Sequence, residues 1–401
     1  MQLLALTLQY DLSKEKEFIK KSRVGLSAAA NTFQNNLVKG LAANDIFFRI
    51  VHTPPFAPFP QYKQLVIPSE TTTICGVSAE QIGYINLPVI KQWIRTAKYK
   101  KAVTRWIKNT EGEKCILVYS LYLPFEKVLK YVKRRFPEVK TLLICTDLPC
   151  EFGILPKNPI KAFLYNQYGK KTLSYGEYID SYVLLTDQMK NPLKAQNKPY
   201  VVVEGIADST AALNQTEIPS EEKILLYTGS LNHAFGIADL VDAFEKIESS
   251  NYRLWICGAG ECEKHIVEAA KRDSRITFFG YVDKEKIAEL QSKATVLVNP
   301  RKNEGEYTKY SFPSKTMEYM LSGKPVLMYK LDGIPDEYDD YLYYFSGTSI
   351  EQIAKGIIDV CEKPSSELKD FGQQAQAFVA EHKNACCQAK KIIELLESNE
   401  G

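Results

Sequence analysis

The sequence has no apolar run long enough to cross a membrane, and it lacks the cysteine and histidine spacings of a zinc site. A transmembrane helix needs about 18 consecutive apolar residues. The nine cysteines include no C-x-x-C pair and the four histidines show no metal-ligand spacing, so we expect reduced thiols, no disulfides and no metal. Residues 1–8 have no basic leader and are interpreted as a first strand, not a signal peptide. We therefore expect a cytoplasmic protein.

Acidic residues are scarce in the first half of the chain, although the net charge of the whole is only +3. Residues 1–200 carry 29 Lys and Arg against 15 Asp and Glu, whereas residues 201–401 carry 22 against 33. Such a basic half indicates that this part of the protein acts next to an anionic surface. Lipid headgroups and nucleic acid are the two candidates, and no RNA- or DNA-binding motif accompanies the charge.

The stretch 81–110 contains no acid and seven Lys or Arg residues. Interleaved tryptophans and isoleucines make it typical of an amphipathic helix at an anionic membrane, and a second basic cluster follows at 127–135. The alternative is a solvated helix whose tryptophans pack inward. Four cations that fall on one predicted stripe form the candidate membrane surface: Lys91, Arg95, Lys98 and Arg105.

Short apolar runs alternate with amphipathic stretches of helical length along the whole chain. The runs are apolar throughout, which is typical of strands buried on both faces of a parallel sheet. Because the βαβα pattern occurs twice, we predict two Rossmann-like, doubly wound α/β domains. The predicted divisions are an N-terminal domain (1–205), a linker (206–222), a C-terminal domain (223–365) and a C-terminal helix (366–401) that packs back on the first domain.

The densest group of candidate site residues lies between Asn299 and Val326. A buried strand is predicted to end near Asn299, and a helix to begin near residues 311–313 and to end at Gly323. The loop between them follows the carboxyl end of a strand, where open α/β sheets bind ligands. The start of the helix offers free N–H groups and a positive dipole end to a phosphate group.

Side chains beside this helix start extend the predicted phosphate site. Ser314 adds a hydroxyl, and Lys315 and Arg301 add cations for a diphosphate. Glu318 lies one turn after Ser314 on the same helical face, where its carboxylate would accept hydrogen bonds from a ribose diol. The alternative is that Ser314 caps the helix, Lys315 is solvated and Glu318 pairs with a surface lysine.

These segments resemble the donor domain of the retaining GT-B glycosyltransferases of family four, the glycosyl transferases group 1. The resemblance implies two domains facing a cleft and a nucleotide-diphosphate sugar as substrate, UDP- or GDP-linked. Residues 181–187 and 201–208 are more loosely similar to the end of the family's N-terminal domain. The stretches similar to the donor domain follow the family's order: 226–231, 236–240, 254–261, 279–282, 294–300 and 311–326.

The resemblance also implies roles for individual residues. Gly229 lets the first donor-domain loop approach the phosphates, and the backbone of Tyr281 and Val282 holds the base. Glu318 binds the ribose. Gly258 belongs to a Gly-x-Gly that ends a strand and is expected in a tight turn near the nucleotide, with an ordinary structural turn as the alternative. The remaining donor-binding candidates form the helix start, namely Ser311, Phe312, Pro313 and Ser314.

Two departures from the family pattern affect the donor end. Many members carry Arg and Lys around the first donor loop, where this chain has Ser230 and Phe235. Arg301 and Lys315 are our candidates to supply that charge. Many members also carry a glutamate eight residues before the ribose glutamate, where this chain has Tyr310. These departures leave the identity of the donor sugar open.

The first half contributes one glycine and one carboxylate to the candidate site. Gly25 precedes a helical stretch and fits the family's first strand–helix loop, on the acceptor side. Asp147 follows a buried strand and is expected at the acceptor or reacting centre, with helix capping as the alternative. The catalytic candidates are therefore Asp147, Lys315 and Arg301. No cofactor or metal is required, since no Asp-x-Asp motif stands where a donor metal would need it.

Together these features predict a retaining glycosyltransferase that acts on a glycan or lipid-linked acceptor. The expected setting is bacterial surface polysaccharide biosynthesis, at the inner face of the plasma membrane, without nucleic acid as a partner. Two other functions stay open. One is a GT-B enzyme that alters the nucleotide sugar itself, such as a UDP-sugar 2-epimerase, and the other is a non-catalytic sugar-nucleotide-binding subunit.

Overall fold

The computed structural model describes residues 1–26, 28–149, 158–208 and 222–398, and the chain divides into two compact units. Unit 1 comprises Met1–Ile206 together with the segment from Ala385 onwards. Unit 2 comprises Ala207–Asn384. Each unit is an α/β layer structure built on one main sheet, as the twofold βαβα pattern predicts.

The main sheet of unit 1 has eight strands, and all neighbours except one edge pair run parallel. The strands are β1 (Gln2–Thr7), β2 (Phe48–His52), β4 (Glu70–Ile74), β5 (Val77–Gln81), β7 (Lys114–Tyr119), β8 (Lys140–Cys145), β9 (Ser181–Leu184) and β10 (Tyr200–Val202). Their order is β10-β9-β8-β7-β1-β2-β5-β4. A separate antiparallel pair joins β3 (Val66–Ile67) and β6 (Tyr84–Ile85).

The β4–β5 hairpin is absent from the predicted strand set. Its strands, 70–74 and 77–81, are short and largely polar, and they meet at the turn Cys75–Gly76. They lie at the sheet edge, where one face stays open to solvent, so they lack the continuous apolar character of the central strands. A search for buried parallel strands therefore misses them.

The α-helices in the described part of unit 1 are α1 (Glu15–Lys21), α2 (Ala28–Ala43), α3 (Ile90–Asn109), α4 (Leu123–Arg135), α5 (Pro159–Leu173) and α12 (Ala385–Glu397). Helix α12 packs on α2, where a Cβ on Gly40 would lie 2.1 Å from the carbonyl oxygen of Ala385. Its apolar face, including Ile392 and Leu396, joins the core cluster that contains Leu37. Glycine at position 40 thus permits the close approach of the two helices.

Unit 2 has a six-stranded, fully parallel sheet with the order β13-β12-β11-β14-β15-β16. The strands are β11 (Lys223–Ser230), β12 (Tyr252–Ala259), β13 (Ile276–Gly280), β14 (Val296–Asn299), β15 (Val326–Met328) and β16 (Tyr343–Tyr344). The helices are α6 (Ile237–Phe244), α7 (Glu263–Arg272), α8 (Lys284–Lys293), α9 (Ser314–Leu321), α10 (Ile350–Cys361) and α11 (Ser365–His382).

The C-terminal segment differs from the prediction of one helix over 366–401. The structure has two helices, α11 and α12, which are interrupted at residues 383–384. Helix α11 stays in unit 2, where Gln376 Nε2 donates a 2.6 Å hydrogen bond to the carbonyl oxygen of Leu321. Only α12 belongs to unit 1. Most of the predicted linker, residues 209–221, lies outside the described residues.

Among the described helices, none combines the length and the apolar character that a membrane span requires.

Candidate functional site

A pocket of about 530 Å³ opens at the carboxyl ends of β11 and β12 in unit 2. Helix α8, the loop that leads into it and helix α9 form the other walls. This is the edge at which an open parallel sheet binds ligands. Six of the predicted donor-site residues line the pocket, namely Gly229, Gly258, Tyr281, Val282, Lys315 and Glu318.

Gly258 allows the two strand ends to meet on the floor of the pocket. Its φ is +147°, and an added Cβ would lie 1.8 Å from the carbonyl oxygen of Gly229. A side chain at position 258 would therefore push β11 and β12 apart. The close packing supports the alternative that this Gly-x-Gly forms a structural turn. Gly258 also forms part of the pocket surface.

Tyr319 fixes helix α9 against the end of β11. Its hydroxyl accepts a 2.8 Å hydrogen bond from the backbone N–H of Thr228 and donates a 3.0 Å bond to the carbonyl oxygen of Thr228. Tyr319 is only 1% exposed. Because α9 is held in this way, its residues Lys315 and Glu318 are presented to the pocket.

Lys315 and Glu318 form an ion pair on the wall of the pocket. Lys315 Nζ lies 2.9 Å from Glu318 Oε2 and 3.1 Å from Glu318 Oε1. Gln291 Nε2 lies 3.4 Å from the same Oε1. Of the alternative, only the pairing of Glu318 with a lysine is observed, and that lysine is the predicted phosphate ligand. The phosphate role of Lys315 and the ribose role of Glu318 stay predictions.

The opposite wall comes from the loop after β13 and from helix α8. Tyr281 is 81% exposed at the rim. The side chain of Asp283 caps α8 by accepting a 2.9 Å hydrogen bond from the backbone N–H of Lys286. The sequence analysis missed the contributions of this helix, which are Lys284, Ile287, Ala288 and Gln291. The capping Asp directly after Tyr281–Val282 was the available signal for a pocket-forming helix.

The predicted helix start is not part of the pocket lining. Helix α9 begins at Ser314, and the N-cap residue Pro313 makes no side-chain cap. Neither Ser311 nor Ser314 caps the helix, and Ser311 Oγ instead accepts a 3.0 Å hydrogen bond from Arg301. The side chain of Phe312 is 5% exposed and packs on Tyr338, so its side chain is core. The Ser311–Ser314 segment therefore supports α9 from beside the pocket.

Arg301 also lies beside the pocket lining, in a largely buried position. Its guanidinium lies 5.5 Å from the ring centre of Phe235 and 5.0 Å from that of Tyr307. Burial lowers the pKa of Arg301 from its usual value. Its Nε atom is buried without a hydrogen-bond partner among the described residues. Arg301 thus packs against Phe235, one of the positions at which we identified a departure from the family pattern.

The two first-domain candidates lie in unit 1. Gly25 is exposed in the loop between α1 and α2, and an added Cβ would meet no atom within 4 Å. Asp147 is exposed just after β8, and Thr146 Oγ1 donates a 3.4 Å hydrogen bond to its Oδ2. Residues 150–157, where a helix capped by Asp147 would lie, are outside the described residues. The acceptor roles of both residues stay predictions.

The predicted membrane stripe is wrong for two of its four cations. Lys91 and Arg95 are 7% and 3% exposed. Lys91 Nζ donates a 2.9 Å hydrogen bond to the carbonyl oxygen of Phe56, and burial lowers the pKa of Lys91 to about 8. Arg95 donates 3.0 Å and 2.9 Å hydrogen bonds to the carbonyl oxygen of Pro54 and the hydroxyl of Tyr122. Both cations therefore hold loops inside unit 1.

The other half of the stripe is at the surface. Lys98 is exposed and donates a 3.1 Å hydrogen bond to Ser69 Oγ. Arg105 is exposed and pairs with Glu80. Trp93 is 73% exposed, whereas Trp106 packs inward. Helix α3 therefore combines the two sequence interpretations, since its cations and its tryptophans are each divided between surface and core.

Residues 208–378 match the family model of the glycosyl transferases group 1. A curated relative, an uncharacterized glycosyltransferase of Methanocaldococcus jannaschii, is 27% identical over 121 residues. The match covers 29% of this chain and 30% of that relative. Sequence similarity is thus concentrated in one part of each protein.

Solved structures resemble the chain over its whole length. The sucrose-phosphate synthase of Thermosynechococcus elongatus has a TM-score of 0.68 at 16% identity and covers 100% of this chain and 99% of its own. Anabaena HepE in complex with UDP has a TM-score of 0.64 at 14% identity, with coverages of 99% and 100%. A trehalose-6-phosphate protein of E. coli bound with UDP-2-fluoro glucose has 0.66 at 8%, with 99% of each chain covered. The chain therefore has the GT-B fold, and its residues 208–378 are similar to the glycosyl transferases group 1 domain.

Proposed function

We propose that the protein is a retaining glycosyltransferase that moves a sugar from a nucleoside-diphosphate donor to a glycan or lipid-linked acceptor. The observation that carries the proposal is the pocket in unit 2, which places Lys315, Glu318 and the Tyr281–Val282 backbone around one cavity. A cation, a carboxylate and exposed loop backbone suit the phosphates, the ribose diol and the base, respectively.

Two of the structurally similar proteins were solved with UDP or a UDP-sugar analogue bound. HepE was solved with UDP, and the E. coli protein with UDP-2-fluoro glucose. Both share the fold of this chain, so a UDP-sugar is the first donor to test, with a GDP-sugar second. The pocket volume of about 530 Å³ is within the range of small-molecule sites. The proposed reaction requires no cofactor and no metal.

The proposed chemistry needs little covalent help from the protein. The bond between the sugar C1 and the donor phosphate oxygen breaks, and a bond from C1 to the acceptor oxygen forms on the same face. The proton of the acceptor hydroxyl passes to the departing phosphate. Lys315 stabilises the charge that develops on the diphosphate, and we assign the same role to Arg301, whose buried Nε is unpartnered. Asp147 is proposed to orient the acceptor.

The proposed setting is bacterial surface polysaccharide biosynthesis at the inner face of the plasma membrane. Support comes from the excess of 29 Lys and Arg over 15 Asp and Glu in residues 1–200, since an anionic membrane attracts such a charge. The exposed cations of unit 1, rather than Lys91 and Arg95, have to provide this attraction. Nucleic acid is not proposed as a partner.

The direct test is a transfer assay with UDP-glucose, UDP-galactose and UDP-N-acetylglucosamine, with membrane lipid extract as the acceptor source. We expect lipid-dependent release of UDP and a product whose anomeric configuration, read by NMR, matches the donor. The Lys315→Met variant is the negative control. Free epimerised nucleotide sugar would instead establish the epimerase, and UDP binding without any turnover would establish the non-catalytic subunit.

A further inference from the structure

Unit 1 has a cationic groove on its surface between helices α3 and α4, which we name the α3–α4 groove. Its volume is about 460 Å³, and an adjoining hollow of about 360 Å³ continues it along α3. Within the described chain, none of the lining residues of either cavity is acidic. The lining of the groove consists of Lys100, Lys127, Lys130, Tyr131, Arg134 and Arg135.

Among the described residues, no ion pair with a carboxylate involves a groove cation, whereas a neighbouring lysine has one. Lys133, which does not line the groove, forms an ion pair with Asp180, with 3.0 Å between Nζ and Oδ2. By contrast, the groove lysines contact aromatic rings. Lys100 Nζ lies 5.2 Å from the ring centre of Tyr131, and Lys130 Nζ lies 5.1 Å from that of Tyr178. Mutual repulsion of these cations is relieved when an anion enters, so the groove is suited to phosphate groups.

The dipoles of the helices account for only part of this charge. Basic residues in the last turn of a helix complement its negative end, which explains Arg134 and Arg135 at the end of α4. Lys127 lies in the second turn of α4, and Lys100 lies in the middle of α3. These two lysines gain nothing from a helix end, yet they are turned toward the same concave surface.

Exposed apolar side chains continue the same face of α3 toward its start. Val89, Ile90 and Trp93 are 68%, 46% and 73% exposed. Trp93 shares an outward stripe of α3 with Lys100 and Lys108, at spacings of two and about four turns. Polyphosphate would gain no contact from these apolar side chains, and a single-stranded nucleic acid would stack bases on Trp93 but leave Val89 and Ile90 exposed. A bilayer surface binds both kinds of group, because its headgroups carry phosphates above an apolar layer.

We propose that the outer face of α3 and α4 docks on an anionic lipid bilayer, with lipid phosphates in the α3–α4 groove and Trp93 at the interface. The inference rests on the membrane setting of the proposed function and names the surface that provides it. It replaces the predicted stripe, of which Lys91 and Arg95 are internal. The docking itself requires neither the donor pocket nor catalysis.

The test measures co-sedimentation of the full chain with vesicles of phosphatidylcholine, alone or with 30% phosphatidylglycerol. The groove variant combines Lys127→Gln, Lys130→Gln and Arg134→Gln. The matched control, Lys264→Gln with Lys355→Gln and Lys390→Gln, removes the same charge from exposed sites elsewhere. We expect binding to the anionic vesicles alone, roughly a hundredfold weaker in the groove variant and nearly unchanged in the control. An unchanged thermal shift with UDP in both variants separates docking from the donor site.

Trp93 supplies a second readout that does not depend on charge. Its fluorescence should shift to shorter wavelength with anionic vesicles. Trp93→Phe should abolish the shift, because Trp106 is buried and the half-buried Trp255 lies in β12 of unit 2. The proposal is overturned if both triple variants weaken binding equally, or if wild-type protein ignores anionic vesicles. Groove-dependent binding of an oligonucleotide or of polyphosphate, without vesicle binding, would also overturn it by assigning the groove to soluble anions.

Discussion

Replacing Lys315 by methionine should weaken the binding of a nucleoside diphosphate while leaving the fold as stable as before. In the structure without ligand, the lysine pairs with Glu318 at 2.9 Å, and the two side chains are 33% and 45% exposed. An ion pair this exposed contributes about 0.5 kcal/mol or less to stability. A hydrogen bond from a charged group to phosphate contributes about 1.5–3 kcal/mol, which corresponds to a 10- to 100-fold change in Kd.

Calorimetric titration with UDP and with uridine separates the two roles assigned to the pair. Lys315→Met should raise the Kd for UDP by 10- to 100-fold and leave uridine binding unchanged or tighter, since Glu318 becomes free to meet the ribose. Glu318→Ala should weaken both ligands. The matched control is Lys363→Met, which breaks the pair between Lys363, just before α11, and Glu367 in α11, with nearly the same exposures of 34% and 48%. Equal UDP affinities in wild type and Lys315→Met would refute the phosphate role.

The remaining predictions concern stability. Gly258→Ala should lower the free energy of unfolding by about 2 kcal/mol or more, because the added Cβ would lie 1.8 Å from the carbonyl oxygen of Gly229. Gly25→Ala is the control, because its Cβ would lie in open space, and it should lower that free energy by under about 0.5 kcal/mol. Denaturant titrations measure both values. His52 is buried, which lowers its pKa from 6.5 to about 4. Protons then favour the unfolded chain, so stability is complete above pH 6.5 and should fall by about 3 kcal/mol between pH 6.5 and 4; a His52→Gln variant with the same pH profile would contradict this. Arg95→Ala should cost about 2–3 kcal/mol of unfolding free energy, because it removes the hydrogen bonds to Pro54 and Tyr122, and a surface-like effect below 0.5 kcal/mol would contradict its internal role.

The central strands were predictable because a strand that is buried on both faces has a nearly continuous run of apolar residues. Runs such as 115–121 and 295–299 have consecutive apolar residues at 115–119 and 296–298, and the structure has β7 and β14 there. The β4–β5 edge hairpin has one side that faces solvent, so its sequence is largely polar and resembles that of a loop. The break between α11 and α12 depends on which unit each helix packs against, and the helical period alone does not reveal that choice.

The pocket in unit 2 was predictable to the extent that its residues follow strand ends. Gly229, Gly258 and Tyr281 stand at or just after the carboxyl ends of consecutive strands, so parallel topology brings them to one edge. The contributions of α8 were missed because Ile287 and Gln291 resemble ordinary residues of an amphipathic helix. The roles of Lys91 and Arg95 were misread for a related reason. A stripe of cations on a helix suggests a surface position. Lys91 is instead internal, because its ammonium donates a hydrogen bond to the carbonyl oxygen of Phe56 in a loop.

Thermal unfolding of the wild-type protein with UDP, GDP, ADP and TDP, and with NAD as a control, tests most directly whether the pocket in unit 2 is a nucleotide-sugar site. A ligand at 100 times its Kd adds roughly 2.7 kcal/mol to the free energy of unfolding. We predict a raised midpoint with one nucleoside diphosphate, UDP before the others, and no rise with that ligand in Glu318→Ala. Folded wild-type protein whose midpoint moves with none of them, or equally with NAD, would contradict the donor-site assignment.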